Sequence, residues 1–255
     1  MTIPEYTRKC PEGAVEVSLQ VTAGQTDRTG RMKLSALAWN ITALAFTHLE
    51  SFGFNRDEMI RNGKLWMVIW NQMEFVRIPR EGETILLRVW AGKAQSIMLS
   101  RRFAIYTEAG EPVGTASGLL AVIDAKTRMI SSDIEEFRKI PVIKIPNEPR
   151  RVSMFMEFPE EYAEEFSCRV QPSQIDPNGH MNNSFYFDWV TEGIPEAYTD
   201  SHEPESVWVE YRKELLEGQT AVISRVLQDD VLYASGRIGE ENSFSIKITW
   251  RSTKE

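Results

Sequence analysis

The spacing of apolar residues predicts a long helix followed by strands in the first half of the chain. The helix carries apolar side chains three or four residues apart: Leu34, Leu37, Ala38, Ile41, Leu44, Ala45 and Leu49. Gly53 follows as a C-terminal stop. Apolar runs bounded by Gly, Pro and charged residues then predict antiparallel strands over residues 67–78, 83–93, 97–107 and 112–124.

The second half repeats this order of elements. A shorter helix is predicted from Asn183 to Glu192, before Gly193 and Pro195. Strands are predicted after it over residues 206–214, 219–228, 231–239 and 243–251. A helix laid across an antiparallel sheet is the simplest way to bury the apolar face of both, so the pattern predicts an α+β fold.

Direct comparison of the two halves reveals an internal repeat. At an offset of 149, six of the fifteen residues from Val21 to Ser35 are identical to those from Val170 to Ser184. At an offset of 136, residues 74–84 (EFVRIPREGET) match residues 210–220 (EYRKELLEGQT). Two matching blocks in the same order indicate two copies of one supersecondary unit.

The repeat predicts two modules. We expect an N-terminal module over residues 1–130 and a C-terminal module over residues 166–255. Residues 131–165 are rich in proline and charge, and we interpret them as a partly ordered linker that runs over the surface.

Charge and cysteine content narrow the class of protein. The formal net charge of -8 and the pI of about 5.2 argue against nucleic acid as a ligand, because phosphate-binding domains are usually basic.

Cys10 and Cys168 have no other His or Cys at metal-ligand spacing, so we expect neither a disulfide nor a metal site, and no cofactor. No apolar run reaches the length of a membrane span, and the first residues lack the apolar stretch of a signal peptide. We expect a cytoplasmic protein that does not insert into membranes.

The two copies differ where chemistry is expected. Asp27, Gly30 and Met32 persist as Asp176, Gly179 and Met181, which is typical of a structural turn before a helix. Three other aligned pairs change character: Thr29 becomes Asn178, Arg31 becomes His180 and Ile78 becomes Glu214.

The new side chains suit hydrolysis of an acyl group. Histidine, the residue type at position 180, is the side chain whose unperturbed pKa lies nearest neutrality, and Glu214 can act as a general base once desolvated. Asn178 can donate to a carbonyl oxygen or fix a water. The first N–H groups of the helix that starts near Asn182 or Asn183 offer an oxyanion site.

A purely structural interpretation of these residues also exists. Asp and Asn are favoured at helix N-caps, and Asn-Gly is favoured in turns, so residues 176–183 also suit a capped turn. Taken alone, Glu214 is typical of a solvated strand residue. We expect capping and chemistry to involve different residues of the one segment.

These motifs resemble a known family. DPNGHMNN, residues 176–183, resembles the D-x-N-x-H-x-N-N signature of acyl-acyl carrier protein thioesterases, and EYRKE, residues 210–214, resembles their E-Y-R-[RK]-E strand. In the first half, residues 90–92, 100–102 and 126–128 look like the family's N-terminal module. The resemblance covers about residues 10–252. It implies a tandem, or double, hotdog fold and hydrolysis of fatty acyl-acyl carrier protein to free fatty acid.

The resemblance also implies a catalytic set: Asp176, Asn178, His180 and Glu214. The family usually has a cysteine directly after the glutamate, where this sequence has Leu215, so direct attack by water is favoured. Glu214 is then the base for water, His180 and Asn178 orient water and thioester, and Asp176 holds the turn. The sequence leaves open which of His180 and Glu214 takes the proton.

Three other functions remain open at this stage. The first is a thioesterase that acts on acyl-coenzyme A, and the second is an acyl-binding hotdog module without turnover. A hotdog dehydratase fits less well, because those sites normally lack this Asn-x-His and Glu arrangement. The chain is expected to be a monomer or a homodimer, since a double hotdog already contains the pairing that single hotdogs reach by dimerising.

Two sets of residues are candidates for substrate contacts. An acyl tunnel needs extended apolar walls. The candidates for these walls are Trp66, Met67, Trp70, Met73 and Trp90. An acidic enzyme that meets an acidic carrier protein needs a local basic patch. The candidates for this patch are Lys93, Arg128, Lys139, Arg150 and Arg151.

Overall fold

The described residues form one antiparallel β-sheet of ten strands. The computed structural model describes residues 5–94, 96–144, 157–159 and 161–254. The strands are β1 Ala14–Gln20, β2 Lys64–Phe75, β3 Thr84–Ala91, β4 Leu99–Thr107, β5 Pro112–Asp124, β6 Glu164–Arg169, β7 His202–Tyr211, β8 Thr220–Gln228, β9 Val231–Ile238 and β10 Glu241–Ser252. The α-helices are α1 Leu34–Glu50, α2 Arg56–Arg61, α3 Phe185–Thr191 and α4 Glu196–Ser201.

The sheet contains the repeat found in the sequence. Its strand order is β1-β3-β4-β5-β2-β7-β10-β9-β8-β6, so each half supplies five adjacent strands in the same relative order outward from the centre. β2 and β7 join the halves, and Gln72 lies opposite Trp208 at the centre of their pairing. These two residues are related by the repeat offset of 136, so the modules pair through the same strand of each copy.

Helices α1 and α3 pack with the sheet around a shared apolar core. The two helices contact each other, and their buried residues join the inward side chains of both half-sheets in one cluster. Leu37 and Leu44 of α1 and Phe187 and Val190 of α3 are all buried. Burial of each such side chain contributes about 1.5–3 kcal/mol. The α+β prediction is therefore confirmed in both halves.

The strand before Glu214 begins and ends earlier than the predicted 206–214, at His202 and Tyr211. It ends at Tyr211, because the amides of Arg212 and Lys213 both donate to the carbonyl of Ser243, at 2.8 and 3.1 Å. Two successive donors on one acceptor interrupt the regular ladder, as in a β-bulge. Glu214 consequently lies in the loop after β7.

The helical segments also differ from the prediction. The second long helix begins at Phe185 rather than Asn183, because the side chain of Asn182 accepts the amide of Ser184 at 2.9 Å and holds a turn there. The apolar spacing does not predict α2 and α4, which have only six residues each. Such short helices depend on tertiary packing, so they carry no periodic pattern of their own.

The segment interpreted as a linker contributes to the core of the first module. Ile134, Phe137 and Ile140 are buried there, at 1–4% exposure, so this part of the segment does not run over the surface. β6 begins at Glu164, two positions before the expected start of the second module. Arg150 and Arg151 lie outside the described residues.

Candidate active site

A hydrogen-bonded turn between β6 and α3 presents three of the four candidate residues. Asp176 accepts the amide of Asn178 through Oδ1 at 2.7 Å, and its own amide donates to the carbonyl of His180 at 2.9 Å. Gly179 has a φ of +84°, a left-handed conformation that favours glycine. The turn therefore holds Asn178 and His180 on either side of a backbone position whose conformation favours glycine.

The same turn exists in the first copy. Asp27 accepts the amide of Thr29 at 2.8 Å, its own amide donates to the carbonyl of Arg31, and Gly30 has a φ of +74°. Only the side chains differ. The hydroxyl of Thr29 donates to Asp27 at 2.6 Å. The side-chain nitrogen of Asn178 donates to Asp176 at 3.4 Å, and the Asn178 amide has a carbonyl oxygen in addition. The structure thus separates the shared scaffold from the side chains found in one copy alone.

Glu214 is tied to this turn through the backbone. The amide of Met181 donates to the carbonyl of Leu215 at 2.7 Å, just as that of Met32 donates to Pro79 in the first copy. Burial and then the negative charge of Glu214 raise the pKa of Tyr186, which lies on α3 beside it. The loop after β7 and the turn before α3 are therefore held together.

All four candidate residues line a single cavity of about 400 Å³ between the modules. Asp176, Asn178, His180 and Glu214 come from the second module, together with Asn182, Asn183, Tyr186 and Tyr211. The first module supplies an apolar wall, which consists of Phe46, Leu65, Trp66, Met67, Val68 and Ile123. The cavity thus combines polar and ionisable side chains on one side with space for an apolar chain on the other.

Two of the five predicted tunnel residues line this cavity. They are Trp66 and Met67, which lie on β2. Trp70 and Met73 of the same strand and Trp90 of β3 are buried elsewhere and belong to the packed interior. The sequence does not distinguish these groups, because the register of β2 against β5 shifts between Val68 and Trp70 and interrupts the regular alternation of faces.

The expected oxyanion site at the start of α3 is already occupied in part. The amide of Ser184 donates to Oδ1 of Asn182, and the amide of Phe185 donates to the backbone carbonyl of Asn182 at 3.1 Å. Two of the N–H groups expected to be free therefore have partners within the turn. The side-chain amide of Asn178 remains as a donor for a carbonyl oxygen.

His180 is placed to accept a proton. Its Nδ1 lies 3.2 Å from the carbonyl of Met181 and 3.9 Å from Oδ2 of Asp176. A backbone carbonyl only accepts, so this contact favours a proton on Nδ1 and leaves Nε2 as an acceptor. Nε2 and the Glu214 carboxylate are both suitable acceptors for a proton from water.

Two arginines of the first module contact candidate residues of the second. Arg128 forms an ion pair with Glu214, and Arg56 of α2 donates from Nε to Oδ1 of Asn178 at 3.0 Å. The sequence predicts Arg128 as a candidate for the basic patch that meets the carrier protein, and Arg56 belongs to no motif. Both contacts join residues far apart in sequence, so no local pattern reveals them.

A second cavity lies at the related position of the first copy. It measures about 490 Å³ and is lined by Asp27, Arg31 and Ile78, the counterparts of Asp176, His180 and Glu214. Arg31 is buried and donates through Nη1 to the carbonyls of Thr199 and His202, at 2.9 and 2.8 Å. The counterpart of His180 thus ties the modules together.

The described residues contain no cluster of three or more side chains that suits a metal ion. Within the same residues, no helix has the length and apolar character needed to cross a membrane. Cys10 and Cys168 are both free thiols.

Family models match most of the chain. Residues 14–140 match the acyl-ACP thioesterase N-terminal domain, and residues 158–252 match the acyl-ACP thioesterase C-terminal domain. The chain is 26% identical over 219 residues to an acyl-[acyl-carrier-protein] hydrolase, chloroplastic, of Cuphea viscosissima, which covers 77% of this chain and 52% of that protein. It is 25% identical over 189 residues to oleoyl-acyl carrier protein thioesterase 1, chloroplastic, of Arabidopsis thaliana, with 66% and 51% covered. The chain thus spans about half the length of the curated relatives it matches.

Solved structures resemble the whole chain. The 12:0-ACP thioesterase from Umbellularia californica has a TM-score of 0.85 at 17% identity, covering 96% of this chain and 100% of that chain. An acyl-ACP thioesterase from Bacteroides thetaiotaomicron has a TM-score of 0.82 at 17% identity, covering 94% and 98%. A putative oleoyl thioesterase from Lactobacillus plantarum has a TM-score of 0.81 at 24% identity, covering 97% and 99%. These likenesses confirm the expected double hotdog fold.

Proposed function

The chain belongs to the acyl-ACP thioesterase family, and on this premise we propose that it hydrolyses fatty acyl-acyl carrier protein to free fatty acid and holo-carrier protein. One observation carries the proposal. The side chains that distinguish the second copy from the first, Asn178, His180 and Glu214, all line one cavity whose opposite wall is apolar. The amide, imidazole and carboxylate suit attack by water on a thioester, and the apolar wall suits a fatty acyl chain.

The proposed reaction is direct hydrolysis. Water attacks the thioester carbonyl carbon while His180 or Glu214 takes its proton. The side-chain amide of Asn178 donates to the carbonyl oxygen as negative charge develops there. The carbon–sulfur bond then breaks, and the sulfur leaves with a proton as the free thiol of the carrier's pantetheine arm. Leu215 follows Glu214 and is buried and apolar, so it supplies no alternative nucleophile.

Asp176 has a supporting role in this mechanism. Its Oδ1 accepts the backbone amide of Asn178, and its Oδ2 lies 3.4 Å from the side-chain nitrogen of Asn178. The same carboxylate lies near Nδ1 of His180. One acidic side chain therefore contacts both groups that face the substrate, which fixes their relative position.

The proposed partner is an acyl carrier protein, and the proposed compartment is the cytoplasm. Two free thiols are consistent with a reducing compartment. Among the residues proposed for carrier docking, Lys93 and Lys139 are exposed. The β2–β7 pairing joins two hotdog units within one chain, so the proposed assembly is a monomer or a homodimer.

A matched panel of substrates tests the proposal. Purified protein is incubated with acyl chains of graded length, each on acyl carrier protein and on coenzyme A, and release of free thiol is measured. We expect hydrolysis of the carrier-linked series, with a rate that falls more steeply with added salt than the rate on coenzyme A esters, because carrier docking is electrostatic. Tight acyl binding without thiol release would reject the enzyme in favour of a binding module. Equal efficiency and equal salt response on both carriers would reject the carrier protein as the specific partner.

A further inference from the structure

We propose that Arg56, on α2 of the first module, is a positioning residue that holds Asn178 of the second module as a hydrogen-bond donor to the thioester. The guanidinium makes two contacts across the module boundary. Nε donates to Oδ1 of Asn178 at 3.0 Å, and Nη2 donates to the backbone carbonyl of Pro177. The planar guanidinium of Arg56, which has several donors, thus binds the side chain of Asn178 and the backbone of Pro177 simultaneously.

The two neighbours of the Asn178 amide select the same orientation. Arg56 has only donors, so it requires the amide oxygen on its side. Asp176 carries acceptor oxygens, with Oδ2 3.4 Å from Nδ2, so it requires the amide nitrogen on its side. The reverse orientation places two donors against each other and two acceptors against each other. Arg56 and Asp176 together therefore hold the amide in one orientation.

This orientation determines what Asn178 offers to the substrate. Its oxygen is taken by Arg56, and one N–H of its nitrogen points to Asp176. The second N–H remains for a partner in the cavity, which Asn178 lines. Asn178 accordingly acts as a donor to the thioester carbonyl. This inference rests on the proposed function.

The other end of the molecule provides an internal comparison. There the turn of the first module faces α4 of the second, and Arg28 of that turn pairs with Asp200 at 2.7 Å. Arg28 also lies 3.7 Å from Glu196, the first residue of α4, just as Arg56 is the first residue of α2. Both ends therefore place a short helix beside the opposite turn. Among the described residues, only at the end with Asn178, His180 and Glu214 does the arginine lie on the helix and donate to a candidate catalytic side chain.

A double-mutant cycle tests the proposal. Turnover on the best substrate of the panel is measured for wild type, Arg56→Ala, Asn178→Ala and the double variant, with thermal unfolding as a check on the fold. We expect Arg56→Ala to lower kcat on the order of tenfold to a hundredfold with KM changed by less than about twofold, because misplacement of a reacting group mainly affects the chemical step. In the Asn178→Ala background, the same substitution should change kcat by less than about twofold.

Two further variants sharpen the cycle. Arg56→Lys keeps one donor of the fork and should restore part of the lost kcat. Arg28→Ala removes the corresponding contact at the other end and should leave kcat unchanged. Wild-type kcat in Arg56→Ala overturns the proposal, and so does an equal loss from that substitution with and without Asn178.

Crystal structures of wild type and Arg56→Ala separate this inference from the proposed function. The inference expects the Asn178 side chain to leave its position beside Asp176 in the variant. An unchanged Asn178 overturns it even if wild type is a thioesterase. If wild type hydrolyses no acyl thioester, the proposed function fails, and a displaced Asn178 still supports the positioning contact.

Discussion

Arg128 of the first module and Glu214 of the second form an ion pair at the wall of the cavity. Arg128 has a φ of +60°, an uncommon conformation for a residue other than glycine. The pair links the loop after β5 to the loop after β7, and so places a cation of one module beside one of the two candidate bases of the other.

Arg128→Gln should lower turnover equally on both kinds of carrier. Its guanidinium contacts Glu214 inside the cavity, so its loss should disturb this proposed catalytic carboxylate whatever the acyl chain is attached to. We expect a decrease in kcat on the order of tenfold on acyl-carrier protein and acyl-coenzyme A substrates alike. Exposed Lys93 provides the control, because Lys93→Gln should change only the reaction with the carrier protein. Loss confined to carrier-linked substrate in Arg128→Gln would instead place Arg128 on the docking surface.

Glu214→Gln and His180→Ala should each remove most turnover while the fold survives. General acid–base groups typically contribute about 10²–10⁴-fold to the rate, and both side chains line the cavity. Glu217→Gln is a matched control, since Glu217 is exposed three positions later in the same loop. Initial rates and circular dichroism of the three variants give the comparison. Near-wild-type rates in both cavity variants would rule out the proposed catalytic set.

Replacing Arg101 with methionine should stabilise the protein. Arg101 is 1% exposed, burial lowers its pKa to about 10, and its Nε and Nη2 have no partner among the described residues. An unpaired buried charge is costly, so we expect the free energy of unfolding in urea to rise by about 1–3 kcal/mol. Lower stability of Arg101→Met would show that the guanidinium has partners that offset its burial.

A second buried arginine supplies the contrast. Arg88 forms hydrogen bonds with Glu16 at 2.9 Å and with the carbonyl of Thr7 at 2.7 Å. Arg88→Met leaves these acceptors without their donor, so the same urea titration should show a loss of about 1–3 kcal/mol. The two methionine variants should therefore shift stability in opposite directions.

His48 should make the fold sensitive to acid. It is fully buried on α1, and burial lowers its pKa from 6.5 to about 4. The unfolded chain binds a proton on His48 more tightly than the folded protein does. The stability that depends on neutral His48 is therefore complete above about pH 6.5, and up to about 3 kcal/mol of it is lost as the pH falls toward 4. His48→Gln cannot titrate and keeps a donor for the carbonyl of Gly13, the partner of His48 at 3.0 Å. Between pH 7 and 4.5, the free energy of unfolding should fall more steeply with decreasing pH for wild type than for His48→Gln. An equal pH dependence in the two proteins would contradict the assignment.

The sequence predicts the repeated scaffold because the same local rules apply twice. Asp176 and Asp27 each start a turn that needs a glycine with positive φ, and both copies keep the residues responsible. The comparison of copies also isolates Asn178, His180 and Glu214 without any structure. What distinguishes them from their counterparts is the chemistry of the side chain, which the sequence alone shows.

The contacts that surround these residues follow from tertiary packing, so the sequence does not reveal them. Glu214 lies beyond β7 because two amides share the carbonyl of Ser243 on a neighbouring strand. Arg56 lies on a six-residue helix with no periodic signal, and it contacts a residue 122 positions away. Trp66 and Trp70 share β2, yet only Trp66 lines the cavity. The position of each of these residues depends on which strands and loops become neighbours in the folded protein.

The presence of both hotdog units in one chain, joined through β2 and β7, has an evolutionary consequence. In a dimer of identical hotdog units, every substitution appears at both ends of the assembly, so no residue can serve one end alone. Fusion of two units into one chain removes that symmetry constraint. One end is then free to use an arginine, Arg31, as a tie between the modules, while the other keeps an imidazole at the same position and recruits Arg56 from its neighbour. Division of labour between the halves is thus a result of having both copies in one chain.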